Sequence, residues 1–183
     1  MRVRQGVFSA VVCAGLGIWG WAAAQTPAPK PAAKPAAGTA PAPRVQTDLL
    51  HLMRGIMYPA SNVIFAAQSD DPATIKPAAD PSTSPNPLTS VYGGWAAVEN
   101  AGYALAESSN LLLLPGRMCS NGRPAPTQNA DWQMWVQEMR DAGLATVKAA
   151  QAKNQDAVVD AAGVVAEACA HCHDKYREVK VRC

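Results

Sequence analysis

A Cys-x-x-Cys-His pattern lies close to the C-terminus, in the sequence Cys169-Ala170-His171-Cys172-His173. On a helix, two sulfurs three residues apart lie on one face and can both bond the vinyl-derived carbons along one edge of a porphyrin. His173 follows Cys169 by four residues, so that its imidazole projects beneath the iron. The spacing therefore predicts one covalently attached haem c, held by Cys169 and Cys172, with His173 as an axial ligand of the iron.

The same two cysteines have three other uses. A structural zinc site would need Cys119, His51 or His171 as further ligands, but their spacing gives no second half of a zinc motif. A redox-active Cys-x-x-Cys usually follows a strand in an alternating β and α pattern, which the sequence does not show. The third alternative is a simple disulfide between these two cysteines. His171 is predicted to be a surface residue, because it points roughly away from His173 on a helix.

The residues that must position this motif have the periodicity of helices. Apolar side chains recur every three or four residues, and no stretch alternates with period two for long enough to predict a sheet. The predicted helices cover about residues 46–67 and 94–114 and begin again near Asn129 or Asp131 and near Asn154 or Asp156. They predict an all-α fold, a four-helix up-and-down antiparallel bundle with the haem motif in its C-terminal helix.

Prolines mark two interruptions in this pattern. Pro59 lies inside the first helix and is predicted to kink it, because its ring and missing N–H disrupt the hydrogen-bond ladder. Residues 70–88 are rich in Pro, Ser, Thr and Asp, so they are predicted to form a long surface connection.

The N-terminus has the order of a secretory signal. Arg2 and Arg4 precede an apolar run over residues 7–21, and small residues follow at 22–24. We expect cleavage after Ala24 and not a membrane anchor, because the run is shorter than the roughly 20 residues that a spanning helix needs. The sequence thus predicts a signal peptide (1–24) and a periplasmic protein without stable membrane insertion.

Composition separates a linker from the domain that follows it. Residues 25–44 are mostly Pro, Ala and Lys, which predicts an extended linker, and residues 45–183 are the predicted cytochrome domain. All 14 acidic residues but only 11 of the 16 basic residues lie after residue 44. This balance argues against nucleic acid as a partner, which would require a clustered positive face.

The segment Cys-Ala-His-Cys-His-Asp-Lys-Tyr-Arg, residues 169–177, ends a predicted four-helix domain. It resembles the class II c-type cytochromes, the cytochrome c-prime group and its low-spin relatives, whereas most c-type cytochromes carry the motif near the N-terminus. The resemblance implies a four-helix bundle, His173 as the proximal ligand, and Arg177 near the haem propionates.

In that group the first helix supplies the residue on the other face of the iron. It is a Met in the low-spin electron-transfer members and an apolar side chain in the five-coordinate gas-binding members. Met53 and Met57 lie four residues apart, and a thioether ligand raises the haem potential and closes the sixth site. We expect Met53 to be the ligand, because Met57 lies where Pro59 would disturb the helix. Core packing of both methionines and ligation by His51 stay open.

The predicted function is electron transfer by a mono-haem protein that is not an enzyme and whose partners are periplasmic redox proteins. The alternative is a five-coordinate protein that binds nitric oxide or carbon monoxide. A docking module tethered by residues 26–43 is a third interpretation. Class II relatives are often dimers, so a homodimer stays open.

Two cysteines remain when Cys169 and Cys172 hold haem and Cys13 leaves with the signal peptide. Cys119 opens the loop after the second helix and Cys183 ends the chain, and in an up-and-down bundle both lie at the same end. Because export leads to an oxidising compartment, we predict a disulfide between them, with two unpaired thiols as the alternative.

A few other residues carry weaker expectations. Trp95, Trp132 and Trp135 are predicted to pack in the core or against the haem. Arg117 is predicted to be a solvated arginine, with a propionate partner as the alternative.

Overall fold

A computed structural model of the protein describes residues 43–177 and residue 183. The helical elements are α1 (Leu49–Leu52), a π-helical segment (Met53–Met57), α2 (Tyr58–Ala66), α3 (Trp95–Leu111), α4 (Ala130–Gln151) and α5 (Gln155–Tyr176). The first three follow one another directly, so the described residues form four helical rods and contain no strand. The predicted all-α four-helix bundle is confirmed. The predicted signal peptide and nearly all of the predicted linker lie outside the described residues.

The helices pack in the order of the chain. α2 contacts α3, α3 contacts α4, and α4 contacts α5, while contacts between α5 and α2 close the bundle. No helix within residues 43–177 is long and apolar enough to cross a membrane. Between the first rod and α3, the predicted connection contains only the short 3₁₀ turns Pro81–Thr83 and Pro87–Thr89 and is held to the core by the buried Leu88.

Pro59 lies within the first helical rod without ending it, and the predicted kink stays a prediction. The helix widens into a π-helical segment just before the proline, and the Tyr58 N–H donates to the Met53 carbonyl, five residues back. Pro59 then stands in the first turn of α2. A π-helical turn makes room for the proline ring without ending the helix. The π-helical segment between α1 and α2 is therefore the segment that carries Met53 and Met57.

α3 and α4 approach each other closely because two glycines face each other. A Cβ built on Gly102 would lie 2.7 Å from the carbonyl oxygen of Gly143, and one built on Gly143 would lie 2.7 Å from the Gly102 oxygen. Real Cβ atoms do not come this near to a backbone oxygen, so both positions require glycine. The close approach of α3 and α4 therefore depends on these two residues having no side chain.

Arg117 corrects one expectation. It is buried, with 4% of its surface exposed, and not solvated. Its Nε and Nη2 donate to the Leu111 carbonyl at 3.2 and 2.9 Å, and its Nη1 donates to the Thr47 carbonyl at 2.7 Å. The guanidinium thus satisfies carbonyls at the end of α3 and just before α1, and burial lowers the pKa of this arginine.

The predicted disulfide between Cys119 and Cys183 is confirmed. The two sulfurs are bonded and the Cα atoms lie 4.4 Å apart. The Ser120 N–H donates to the Cys183 carbonyl at 3.3 Å, and the Cys183 N–H donates to the Tyr176 carbonyl at 2.8 Å. The last residue of the chain is therefore held both to the loop after α3 and to the end of α5.

Candidate haem-attachment site

Cys169, Cys172 and His173 all lie in the last two turns of α5. The helix begins where the Asn154 side chain accepts a hydrogen bond from the Ala157 N–H at 3.1 Å, as a good N-cap does. Both thiols are half-buried, pack against the hydrophobic core and are not disulfide-bonded. The helix therefore presents two adjacent free thiols with an imidazole one residue beyond them.

The surroundings of the thiols are apolar. Burial raises the pKa of Cys172 to about 12, with smaller contributions from Asp131 and from Cys169. Burial also raises the pKa of Cys169, while the positive charge of Arg177 opposes the change. An environment that disfavours thiolates accommodates thioethers and a hydrophobic macrocycle well.

A zinc site at Cys169 and Cys172 could not use Cys119 as a further thiolate ligand. Cys119 is engaged in the disulfide, and His171 pairs with a carboxylate instead. Within residues 43–177 and 183, no three His, Cys, Asp or Glu side chains are grouped to hold a metal ion. The cysteine pair also lies inside a helix and not after a strand, which is not the placement of a redox-active Cys-x-x-Cys.

Tyr176 fixes the end of α5 against the start of α4. Its hydroxyl donates to Asp131 Oδ1 at 2.9 Å and accepts from Asn129 Nδ2 at 3.0 Å. Its buried ring makes edge-to-face contacts with Trp132 and Trp135, at centroid distances of 5.2 and 5.9 Å. This confirms the packing role of the two tryptophans. The hydrogen bonds were not predicted, because nothing in the local sequence pairs residues so far apart.

Charged side chains hold the outer face of the motif to α4. His171 Nδ1 lies 2.8 Å from Glu138 Oε2, and this hydrogen bond raises the pKa of His171. Lys175 forms an ion pair with Asp131 and lies over the Trp135 ring. His171 is exposed, which confirms the prediction that it is a surface residue.

Arg177 follows α5 as its C-cap, and its N–H donates to the His173 carbonyl at 2.9 Å. Arg177 is exposed, and its positive charge is near enough to Cys169 to oppose the rise that burial causes in the pKa of that thiol. Arg177 therefore lies about two turns beyond Cys169. Its pairing with a haem propionate stays a prediction.

The candidate distal residues differ in burial. Met53 is half-buried and packs against the core, and Met57 is buried, with 6% of its surface exposed. The choice of Met53 as sixth ligand stays a prediction. His51 is a weaker candidate, because its side chain is largely exposed and bonded to Asp48 Oδ1 at 2.8 Å.

The comparison with known protein families agrees with this geometry. The family model described as Cytochrome C' matches residues 126–177, which include all of α4 and α5. The resemblance to the class II, cytochrome c-prime-like family is confirmed. That family implies covalently attached haem c with its iron, and two free thiols on one helix face beside an imidazole are the donors that such a group needs. No curated protein and no solved structure gives a significant match.

Proposed function

We propose that the protein is an exported mono-haem cytochrome that transfers electrons between redox proteins of the periplasm. The observation that carries the proposal is the pair of free, half-buried thiols of Cys169 and Cys172, one helical turn apart, with His173 directly after them. The family match over residues 126–177 supports haem c as the group attached there.

The disulfide supports the number of haems. It consumes Cys119 and Cys183, so Cys169 and Cys172 are the only free cysteines in the part of the chain that the structure describes. One pair of thiols provides the two thioether bonds of one haem c. The disulfide also supports export, because such bonds persist in oxidising compartments such as the periplasm.

When bound, haem c supplies an iron that alternates between the ferrous and ferric states. Cys169 and Cys172 would hold the porphyrin through thioether bonds, and His173 would provide an imidazole nitrogen as a ligand of the iron. Cys169 and Cys172 pack against the hydrophobic core, which would give the haem edge a low-dielectric environment that helps to set its potential. The hydrogen bonds of Tyr176 restrain the end of α5. The helix would therefore rearrange little when the charge on the iron changes. No substrate turnover is part of this proposal.

Met53 supports electron transfer over gas binding. A half-buried thioether on the first helix can close the sixth position of the iron, whereas a gas-binding site must leave it open. The test is the absorption spectrum of the ferric holoprotein. A low-spin spectrum with the weak far-red sulfur-to-iron band supports the electron carrier. A high-spin spectrum with rapid binding of carbon monoxide by the ferrous protein supports the gas-binding alternative.

A further inference from the structure

The loop after α3 makes a direct connection to the helix that carries Met53. Arg117 Nη1 donates to the Thr47 carbonyl at 2.7 Å, and the Leu49 N–H, the first of α1, donates to the Met118 carbonyl at 2.9 Å. Met53 follows Leu49 by four residues, or about one helical turn. The start of the Met53 helix is therefore fixed by Arg117 and Met118.

The same loop is itself held in one conformation. The Cys119 N–H donates to the Arg123 carbonyl at 2.8 Å, and the Ala125 N–H donates to the Arg117 carbonyl at 2.9 Å. The buried Arg117 guanidinium donates two hydrogen bonds to the Leu111 carbonyl and so attaches the loop to the end of α3. Residues 117–119, which we call the tether, thus have little freedom to move relative to α3.

The other end of the tether reaches the helix that carries His173. Cys119 is bonded to Cys183, whose N–H donates to the Tyr176 carbonyl at 2.8 Å. Tyr176 is the last residue of α5 and follows His173 by three residues. The tether is therefore linked directly to the start of α1 and, through Cys183, to the end of α5. Met53 lies about one turn after Leu49, and His173 lies about one turn before Tyr176.

We propose that the tether, closed by the Cys119–Cys183 disulfide, positions the two axial ligands of the iron relative to each other. The inference rests on the proposed function, in which Met53 and His173 would both be ligands of the iron. Such a site needs its ligands held within roughly 0.5 Å, and the thioether is the weaker of the two donors. Opening the disulfide removes the covalent link between Cys183 and the loop that holds the start of α1, while Tyr176 still holds the end of α5 to α4. The Met53 sulfur would then be the ligand that leaves the iron.

The test uses the full-length holoprotein with both cysteines replaced, Cys119→Ser with Cys183→Ser. We expect haem attachment and helical content to be retained, while the far-red band weakens at least several-fold and the ferrous protein gains rapid carbon monoxide binding. A matched control is Val158→Ala, which removes buried methyl groups near the other end of α5. It lowers the melting temperature but leaves the far-red band unchanged.

A second measurement covers the case in which the double variant does not fold. A water-soluble phosphine reduces the disulfide of the wild-type holoprotein, as the phosphine and one water give the phosphine oxide and two thiols. The thiols are alkylated, the iron is reoxidised with ferricyanide, and the ferric spectrum is recorded. Loss of the far-red band supports the tether. A low-spin wild type whose band survives cleavage overturns the tether alone, and a high-spin wild type overturns both the tether and the proposed function.

Discussion

The Tyr176 hydroxyl donates to Asp131 Oδ1 at 2.9 Å and joins the last residue of α5 to the first turn of α4. The bond crosses between the two helices matched by the Cytochrome C' family model. It lies one turn beyond His173, so it restrains the helix end from which the iron ligand projects. The Asp131 carboxylate also forms an ion pair with Lys175.

Removing this hydroxyl should destabilise the protein without opening a cavity. Tyr176→Phe retains the ring contacts with Trp132 and Trp135 but loses both hydrogen bonds, which should lower the free energy of unfolding by about 1 kcal/mol. Denaturant unfolding of the holoprotein measures the change. Tyr92→Phe is the control, because Tyr92 is exposed and should change stability by less than about 0.5 kcal/mol. Equal effects of the two substitutions would contradict this role of Tyr176.

Asp131 should contribute to acid stability. Its hydrogen bonds to Lys175 and Tyr176 hold its pKa below the ordinary 3.8, so folding favours the carboxylate. Because the folded-state pKa is lowered, the contribution is complete above pH 3.8 and is lost as the pH falls through the folded-state value. Unfolding measured across this acid range should show a shallower loss of stability in Asp131→Asn than in the wild type. An unchanged slope would count against the interaction.

The facing glycines of α3 and α4 offer a matched pair of substitutions. Gly143→Ala places a Cβ 2.7 Å from the Gly102 oxygen and should cost about 1–3 kcal/mol of stability through overpacking. Gly163→Ala, on an exposed face of α5 with nothing within 4 Å, should stabilise by about 0.5–1 kcal/mol. Thermal unfolding distinguishes the two. A stabilising Gly143→Ala would show that the helices are not in close contact there.

The two methionines of the π-helical segment also form a matched pair. Met53→Leu removes the proposed sulfur ligand and should convert a low-spin spectrum to a high-spin one, whereas Met57→Leu should leave the spectrum low-spin. Both substitutions conserve volume, so Met57→Leu should change stability by less than about 1.5 kcal/mol, whereas Met53→Leu should cost more because it also removes the bond to the iron. Absorption spectra of the ferric proteins provide the comparison. If Met57→Leu alone became high-spin, Met57 and not Met53 would be the ligand.

Much of the architecture follows from sequence spacing. Apolar periodicity predicts the helices, Asn154 marks the start of α5, and topology alone brings Cys119 and Cys183 to the same end. The sequence does not predict burial of Arg117, because its acceptor at Thr47 lies 70 positions away and is brought near only by folding. The π-helical segment is not predicted for another reason. The sequence shows that Pro59 must disturb the helix, but it does not show that the disturbance takes the form of a wider turn.

The central claim is that Cys169 and Cys172 bind one haem covalently. Haem staining after denaturing electrophoresis tests it most directly, because only a covalently attached group stays with the unfolded chain. The wild type, expressed with the machinery for haem c attachment, should stain and should gain the mass of one haem. The Cys169→Ala, Cys172→Ala double variant should do neither. A double variant that still stains, or a wild type that does not, would contradict the assignment.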